Sequence, residues 1–427
     1  MKCKNCKNKK LEKILHLGSQ PISSVFHNKK KNNLKKYPLD LFKCRSCDLI
    51  QFSKLAPLED MYGSTYGYRT SLSKYMINHM KEKYLKLNKA SFLKKNSSIL
   101  DIGSNDGTFL NFFANNKNRK LKLFGMDPSS YKYKKYYNKK INLISDYFSK
   151  KKLDRYCREL GSDEKFDLIT SYAMFYDIEN PNSFSKDIFN CLKENGVWVL
   201  EFSYFPLLLK NLTYDQICHE HVTYYTLNTF QKIAKKNGFK ILDISFNEIN
   251  GGSIEVVCAK KNSFHKSKLI KINKILNEEK KINKKSYLNL GHRIENTKKI
   301  LKILLKEINK KDIIGYGAST KGNIVLNHCG LNEKNLSYIC DANPYKFGRY
   351  TPGSNIKIIS KQQMRKRKPK YLLVLIWSFR PEVIKQEINF IKKGGKLIFH
   401  LPMLHIIDKN NYKEFLKKDF SSFSYNF

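Results

Sequence analysis

The chain has 427 residues, 41% of them hydrophobic and 28% charged, and a formal net charge of +44. That length exceeds what one hydrophobic core organises, so two or three domains are expected, and the composition is that of a globular protein. Only ten of its 81 basic residues are Arg, and the lysines run along the whole chain instead of gathering in a stripe. This favours a solvated lysine surface over a nucleic-acid footprint, although such a field still attracts an anionic small substrate.

Residues 1–60 carry two Cys-x-x-Cys pairs, Cys3/Cys6 and Cys44/Cys47. The start, Met1-Lys-Cys-Lys, lacks the apolar stretch of a signal peptide, and the longest strongly apolar run, 371–377, is too short to span a bilayer. A cytoplasmic, reducing setting without membrane contact is expected, where paired cysteines read as metal ligands and not as disulfides. Four thiolates suit tetrahedral zinc and leave no position for a catalytic water, so the metal would be structural. Unmetallated thiols are the alternative. Cys157, Cys191, Cys258, Cys329 and Cys340 read as small buried hydrophobes.

Residues 61–262 begin with a tyrosine-rich stretch, Tyr62, Tyr66 and Tyr68, and a helix marked by Met76, Met80 and Tyr84 at four-residue spacing. Short apolar strands at 99–102, 121–126, 166–171 and 197–202 then alternate with helical stretches, the pattern of a doubly wound α/β domain. The first strand turns through Asp101-Ile-Gly-Ser-Asn-Asp-Gly107 into a helix. Gly103 and Gly107 let a ligand approach the backbone, beside Ser104, Asn105 and Asp106, where the helix N-terminus is partly positive. A second acid, Asp127, ends the next strand, placed to hold the two hydroxyls of a ribose. The acid-x-Gly-x-x-x-Gly form favours S-adenosylmethionine over NAD; a Rossmann-like core without that cofactor is the alternative.

Residues 263–310 predict a lysine-rich helical connector, with Leu269, Ile272, Ile275, Leu276, Ile300, Leu301 and Leu304 at helical spacing. Residues 311–410 predict a second α/β unit with strands at 312–316, 336–340, 371–376 and 396–400. Its first strand leads into Gly315-Tyr-Gly-Ala-Ser-Thr-Lys-Gly322, a turn able to cradle phosphate with Lys321 adding charge. Asp341 follows at the spacing of a dinucleotide site, but Thr320 stands where the usual fingerprint has its third glycine. Nucleotide-sugar contact, a scaffold without ligand, and bound NAD are the three readings.

The cysteine pairs, the Asp101–Gly107 turn, Ala173-Met-Phe-Tyr-Asp-Ile, Tyr214-Asp-Gln-Ile-Cys-His-Glu-His-Val-Thr-Tyr-Tyr225, Asn250-Gly-Gly-Ser253 and the 315–322 turn occur in that order. Over nearly the whole length this resembles the class I, S-adenosylmethionine-dependent C-methyltransferases of sugar nucleotides. The resemblance implies a class I methyltransferase (Rossmann-like) core, a small N-terminal zinc-binding domain and a second Rossmann-like domain at the C-terminus. It further implies methylation of a carbon α to a ketone in an NDP-linked deoxysugar. Such chemistry needs a base for the α-proton, and imidazole suits it. By resemblance His221 is that base, Glu220 a substrate or orienting partner, and Tyr224 their neighbour. The same resemblance puts Tyr68 at the edge of the active site and adds Asn250, Lys321 and Lys346 as substrate contacts, with Arg349 a further candidate. Cys218 departs from the pattern, since family members often carry Tyr there, and this leaves the sugar open. A metal half-site at His219–His221, an O- or N-methyltransferase acting on a small polar acceptor, and an RNA methyltransferase or RNA-binding protein are the competing readings. The oligomeric state is not encoded in any feature of the sequence.

Overall fold

A computed structural model describes residues 1–57, 60–61, 68–116, 120–161 and 164–418. Tyr62 and Tyr66 lie outside the described residues. Among those described, no helix is long and apolar enough to cross a membrane.

The head is an antiparallel sheet of β1 (Leu11–Pro21), β2 (Lys36–Cys44) and β3 (Ile50–Phe52). Its two Cys-x-x-Cys turns share one geometry. The N–H of Lys7 donates to the Cys3 carbonyl and that of Asp48 to the Cys44 carbonyl, each at 3.0 Å, and Lys7 and Asp48 both take positive φ, 64° and 66°. The four Sγ atoms lie within 4.8 Å of one another, with Cys3–Cys47 and Cys6–Cys44 each at 3.5 Å. Ligands on a tetrahedral zinc with bonds of about 2.3 Å would stand about 3.8 Å apart. The thiols therefore fit zinc closely, and as four sulfurs they fill its coordination.

The head sheet has a fourth strand taken from far along the chain. β9 (Thr223–Tyr224) pairs antiparallel with β3, Ile50 opposite Tyr224 and Gln51 opposite Thr223, and the Phe52 N–H donates to the Val222 carbonyl at 3.2 Å.

The central sheet runs β10 (Phe239–Asn247), β11 (Ser253–Lys260), β8 (Leu192–Ser203), β7 (Phe166–Tyr172), β4 (Ser98–Ile102), β5 (Lys122–Met126), β6 (Ile141–Ile144). β6, β5, β4, β7 and β8 are parallel, and β11 is antiparallel to both of its neighbours. Counted within this sheet the order is 3-2-1-4-5-7-6 with the seventh strand reversed, the class I methyltransferase arrangement. Its strands are apolar on both faces because helices cover both, as parallel sheets require. β8 begins earlier than its 197–202 apolar core, continuing straight from the helix Pro181–Cys191.

The helix Lys74–Asn88 is tied to this sheet by buried charges. Glu201 of β8 meets His79 at 2.9 Å and Lys83 at 2.7 Å, and Glu255 of β11 meets Lys83 and Lys86, each at 2.6 Å. The connector forms the helices Leu269–Glu279 and Lys284–Glu307. Beyond it, β14 (Lys357–Ser360), β13 (Tyr338–Asp341), β12 (Ile313–Tyr316), β15 (Tyr371–Val374), β16 (Lys396–Phe399) and β17 (His405–Ile407) form a second sheet, parallel except for β17. β12, β15 and β16 are a residue or two shorter than the expected strands, β13 is shifted to 338–341 from 336–340, and β14 and β17 are additional to them.

Cys44→Ser is expected to lower bound zinc below one ion per chain and to speed amide hydrogen exchange at Thr223 and Tyr224, whose ladder depends on the head; protected amides in metal-free protein would contradict this coupling. Lys83→Met strips a shared ammonium from two buried carboxylates, and urea titration should register a loss of about 3 kcal/mol or more.

Candidate functional site

At the carboxyl ends of β4, β5 and β7, where strand order reverses and open α/β sheets bind ligands, lies a cavity of 280 Å³. It is lined by Asp101, Gly103, Ser104, Asn105, Met126 and Asp127 from the sheet and by Tyr68, Met76 and Met80 from the preceding segment. Gly103 has φ 76°, where only glycine is unstrained, and an added Cβ would come within 3.1 Å of Met174. Asp127 accepts from the Asn105 N–H at 2.9 Å and from the Ser129 N–H and hydroxyl at 2.6 Å, which leaves a free acceptor position on the oxygen facing Asn105 for a ribose hydroxyl.

Asp101 is buried at 4% exposure and accepts the Thr170 hydroxyl at 2.6 Å. Burial, with the nearby Asp127 charge, pushes its carboxyl up to about 7. A cation in the cavity would restore the carboxylate, and S-adenosylmethionine carries two, the sulfonium and the amino group. Donor set and cavity fit this cofactor.

Asp106 and Gly107 lie outside the cavity lining. Asp106 accepts from the Ser71 N–H at 3.0 Å and from the Thr108 hydroxyl at 2.6 Å, and Asn105 accepts from the Thr70 N–H at 2.9 Å. These side chains clamp the 68–72 segment over the cofactor cavity. Tyr68 stands there too, 48% exposed, its carbonyl taking the Tyr133 hydroxyl at 3.0 Å.

The 214–225 segment is fixed at both ends. Tyr214 sits in the C-terminal core with its hydroxyl 3.8 Å from Cys329 Sγ, and Trp377 Nε1 donates to Asp215 at 2.7 Å. At the other end β9 joins the head sheet, and the Tyr224 hydroxyl is committed to the Gln216 carbonyl at 3.3 Å.

Between these anchors the two histidines have different surroundings. His219 Nε2 donates to the Gln20 carbonyl at 3.2 Å, and its Nδ1 lies 3.4 Å from the Ser23 hydroxyl. The head thus occupies both of its nitrogens. His221, by contrast, has a buried Nδ1 without a hydrogen bond among the described residues, and both carboxylate oxygens of its neighbour Glu220 are equally unpartnered. Tyr176 covers the imidazole, ring centroids 4.1 Å apart. Burial, and then the positive charge of Lys321, lowers the His221 pKa to about 3. The imidazole is therefore neutral at physiological pH, the state a base requires.

Cys218 is buried beside this pair, and burial holds its thiol well above the usual range. Lys321, the second residue of the helix Thr320–Cys329, reaches in from the C-terminal unit and donates to Asn250 Oδ1 at 2.5 Å. Asn250 lies in a turn pressed on Trp377: Gly251 has φ 80° and an added Cβ there would sit 2.5 Å from the indole. The structure thus gathers Cys218, Glu220, His221, Asn250 and Lys321.

Lys346 is held elsewhere. It donates to the Ala318 carbonyl at 2.7 Å and lies 3.6 Å from Asp341. Lys346 thus engages Asp341, and Ile376 lies 2.6 Å from where a Gly317 side chain would begin, so that turn requires its glycine.

Sequence reasoning gave no role to Tyr176 or Asp177. Both follow β7 at the carboxyl end of the sheet, where loop residues carry chemistry; Asp177 lines the cofactor cavity and its charge is felt by Cys218 and Lys321. The loop therefore borders both sites.

Three family models match in succession: one described as "Putative zinc binding domain" over residues 3–62, a methyltransferase domain over 73–244, and a C-methyltransferase C-terminal domain over 248–402. The C-methyltransferase NovU of Streptomyces niveus is 26% identical over 376 residues, spanning 87% of this chain and 88% of NovU. Among solved structures, the plantazolicin methyltransferase BpumL in complex with SAH is 15% identical, TM-score 0.33, over 45% of this chain and 86% of its own. An S-adenosylmethionine-dependent methyltransferase from Clostridium acetobutylicum is 16% identical, TM-score 0.31, over 45% and 92%. TM-scores this low lend those two structures no weight. The three domain matches in order, the four-cysteine cluster and the class I sheet make the chain an S-adenosylmethionine-dependent methyltransferase whose N-terminal part matches a zinc-binding domain and whose C-terminal part matches a C-methyltransferase C-terminal domain.

Proposed function

We propose that this enzyme methylates a carbon α to a ketone in a nucleotide-linked deoxysugar, with His221 as the base that removes the α-proton. The observation that carries this reading is the pair of unpartnered groups, His221 Nδ1 and the Glu220 carboxylate, beside the part-buried ammonium of Lys321. Buried polar atoms without partners cost stability, of the order of 1–3 kcal/mol each, and such a cost is retained where a ligand supplies the partner. A sugar offers hydroxyl donors to Glu220 and a C–H proton to His221.

When bound, S-adenosylmethionine supplies an electrophilic methyl group that needs no further activation. The protein's share is to form the nucleophile. His221, neutral and covered by the tilted Tyr176 ring, accepts the proton; Glu220 fixes the sugar by its hydroxyls; the 174–178 turn stands between the two sites. Asp101 and Asp127 hold the cofactor by charge and by its ribose. The cytoplasmic setting expected from the thiols suits a nucleotide-sugar substrate, and neither a nucleic acid nor a membrane is needed for this chemistry.

His221→Ala is expected to slow deuterium wash-in at the α-carbon of a thymidine-diphosphate 4-keto-6-deoxyhexose by roughly 100-fold or more, with S-adenosylmethionine affinity unchanged by calorimetry. Methylation without any α-carbon exchange in the wild type would instead mark an O- or N-methyltransferase. Since burial holds the His221 pKa near 3, the base is already deprotonated through the range where free histidine titrates. The kcat/KM profile should accordingly lack an acid limb near pH 6.5; such a limb, abolished in the variant, would show an imidazole open to water.

A further inference from the structure

We propose that Lys321 is a catalytic residue whose ammonium holds the oxyanion of the enolate, and not a ligand of the substrate's diphosphate. The inference rests on the C-methylation reading above.

Lys321 comes from a glycine-rich turn whose sequence suggests phosphate binding, yet its side chain leaves that turn. It crosses to the methyltransferase core, where one of its three hydrogens goes to Asn250 Oδ1 at 2.5 Å. Asn250 is itself held, its carbonyl accepting from the Gln216 side chain. The ammonium thus has a fixed position and has two hydrogens left for a ligand.

Its neighbours argue against a diphosphate. Asp215 and Asp177 lie close enough to act on it, and the unpartnered Glu220 adjoins Cys218 in the same cluster. A group with two negative charges would meet two carboxyl side chains at the ammonium and a third beside the neighbouring Cys218. A neutral ketone meets no such repulsion and develops a single charge only as the reaction proceeds.

The relation to His221 points the same way. Removing the α-proton makes an imidazolium, and the C–H electron pair moves onto the ketone oxygen. Two cations side by side are unfavourable, as the downward effect of Lys321 on His221 records. An enolate oxygen between them turns that repulsion into two attractions present only after proton transfer, which is the condition for catalysis. When the α-carbon then takes the methyl group, the carbonyl re-forms, the sulfonium departs as a neutral thioether, and the Lys321 ammonium is unchanged.

The test separates kcat from KM with the full-length enzyme and a thymidine-diphosphate 4-keto-6-deoxyhexose. Lys321→Gln should slow α-carbon deuterium exchange and kcat by roughly 100-fold, leaving KM and inhibition by thymidine diphosphate within about twofold, and Lys321→Arg should recover part of the rate by keeping the charge. Asn250→Ala, which frees the ammonium without removing it, should lower exchange by a smaller factor and again leave thymidine diphosphate inhibition intact. It keeps the proposal testable if Lys321→Gln loses cofactor affinity through misfolding. A raised KM with weakened thymidine diphosphate inhibition and unaltered exchange would overturn the proposal in favour of diphosphate binding. If Lys321→Gln is inert while His221→Ala abolishes exchange, only the role of Lys321 falls; if the wild type catalyses no exchange, the C-methylation reading falls with it.

Discussion

The backbone ladder between Ile50–Gln51 and Thr223–Tyr224 is the constraint on which the site depends. It makes a stretch of the methyltransferase core the edge strand of a metal-stapled sheet, two residues after His221. The head is too small to bury much apolar surface of its own, and a structural metal is the usual remedy at that size. Zinc held by four thiolates would therefore act on the segment only through the fold: the thiolates hold two turns together, the turns hold β3 in register, and β3 holds the end of the 214–225 segment. At the segment's other end Tyr214 and Asp215 are held by the C-terminal unit. Residues 218–221 lie between two anchors on different domains, so their geometry depends on how all three parts sit together.

This arrangement also explains how two histidines one residue apart can behave differently. Alternation along an extended backbone sends His219 and His221 to the same side only if the chain is straight. Here the His221 N–H bonds back to the Cys218 carbonyl at 3.0 Å, and the turn separates their surroundings. His219 spends both ring nitrogens on head-domain partners, so it serves as a tether. His221 keeps one free, and burial guards that nitrogen from protonation by solvent.

Much of this was legible in the sequence, for local reasons. The Asp101–Gly107 turn is a strand end, a positive-φ glycine and a helix start within seven residues. The cysteine pairs state their ligand set by spacing alone. Pairing of Thr223 and Tyr224 with β3 was not legible, because two residues have no periodicity and their partners lie more than 170 positions earlier. Lys321 shows the limit from the other side. Its local pattern is that of a phosphate loop, and the strand, turn and helix all form as that pattern implies. The destination of the side chain is set instead by Asn250, a residue of another domain. Asn105 and Asp106 likewise sit in a cofactor motif, but their side chains also accept from the 70–71 backbone, a partner that no spacing rule contains.

The net charge of +44 acquires a narrower meaning from the site. Most lysines stand on the surface, where salt screens their field beyond about 8–10 Å; they can draw an anionic sugar nucleotide toward the protein without orienting it. Inside, the balance is reversed. Asp101, Asp127, Asp215, Glu220, Glu201 and Glu255 are all buried, and the cations that meet them are few and placed: Lys83 on the helix Lys74–Asn88, Lys321 beside His221. An acidic interior suits a cationic cofactor and keeps a basic protein from filling its active site with arbitrary anions. Under that condition an inward lysine such as Lys321 offers a place for negative charge to develop, and the proposed base His221 stands within its influence.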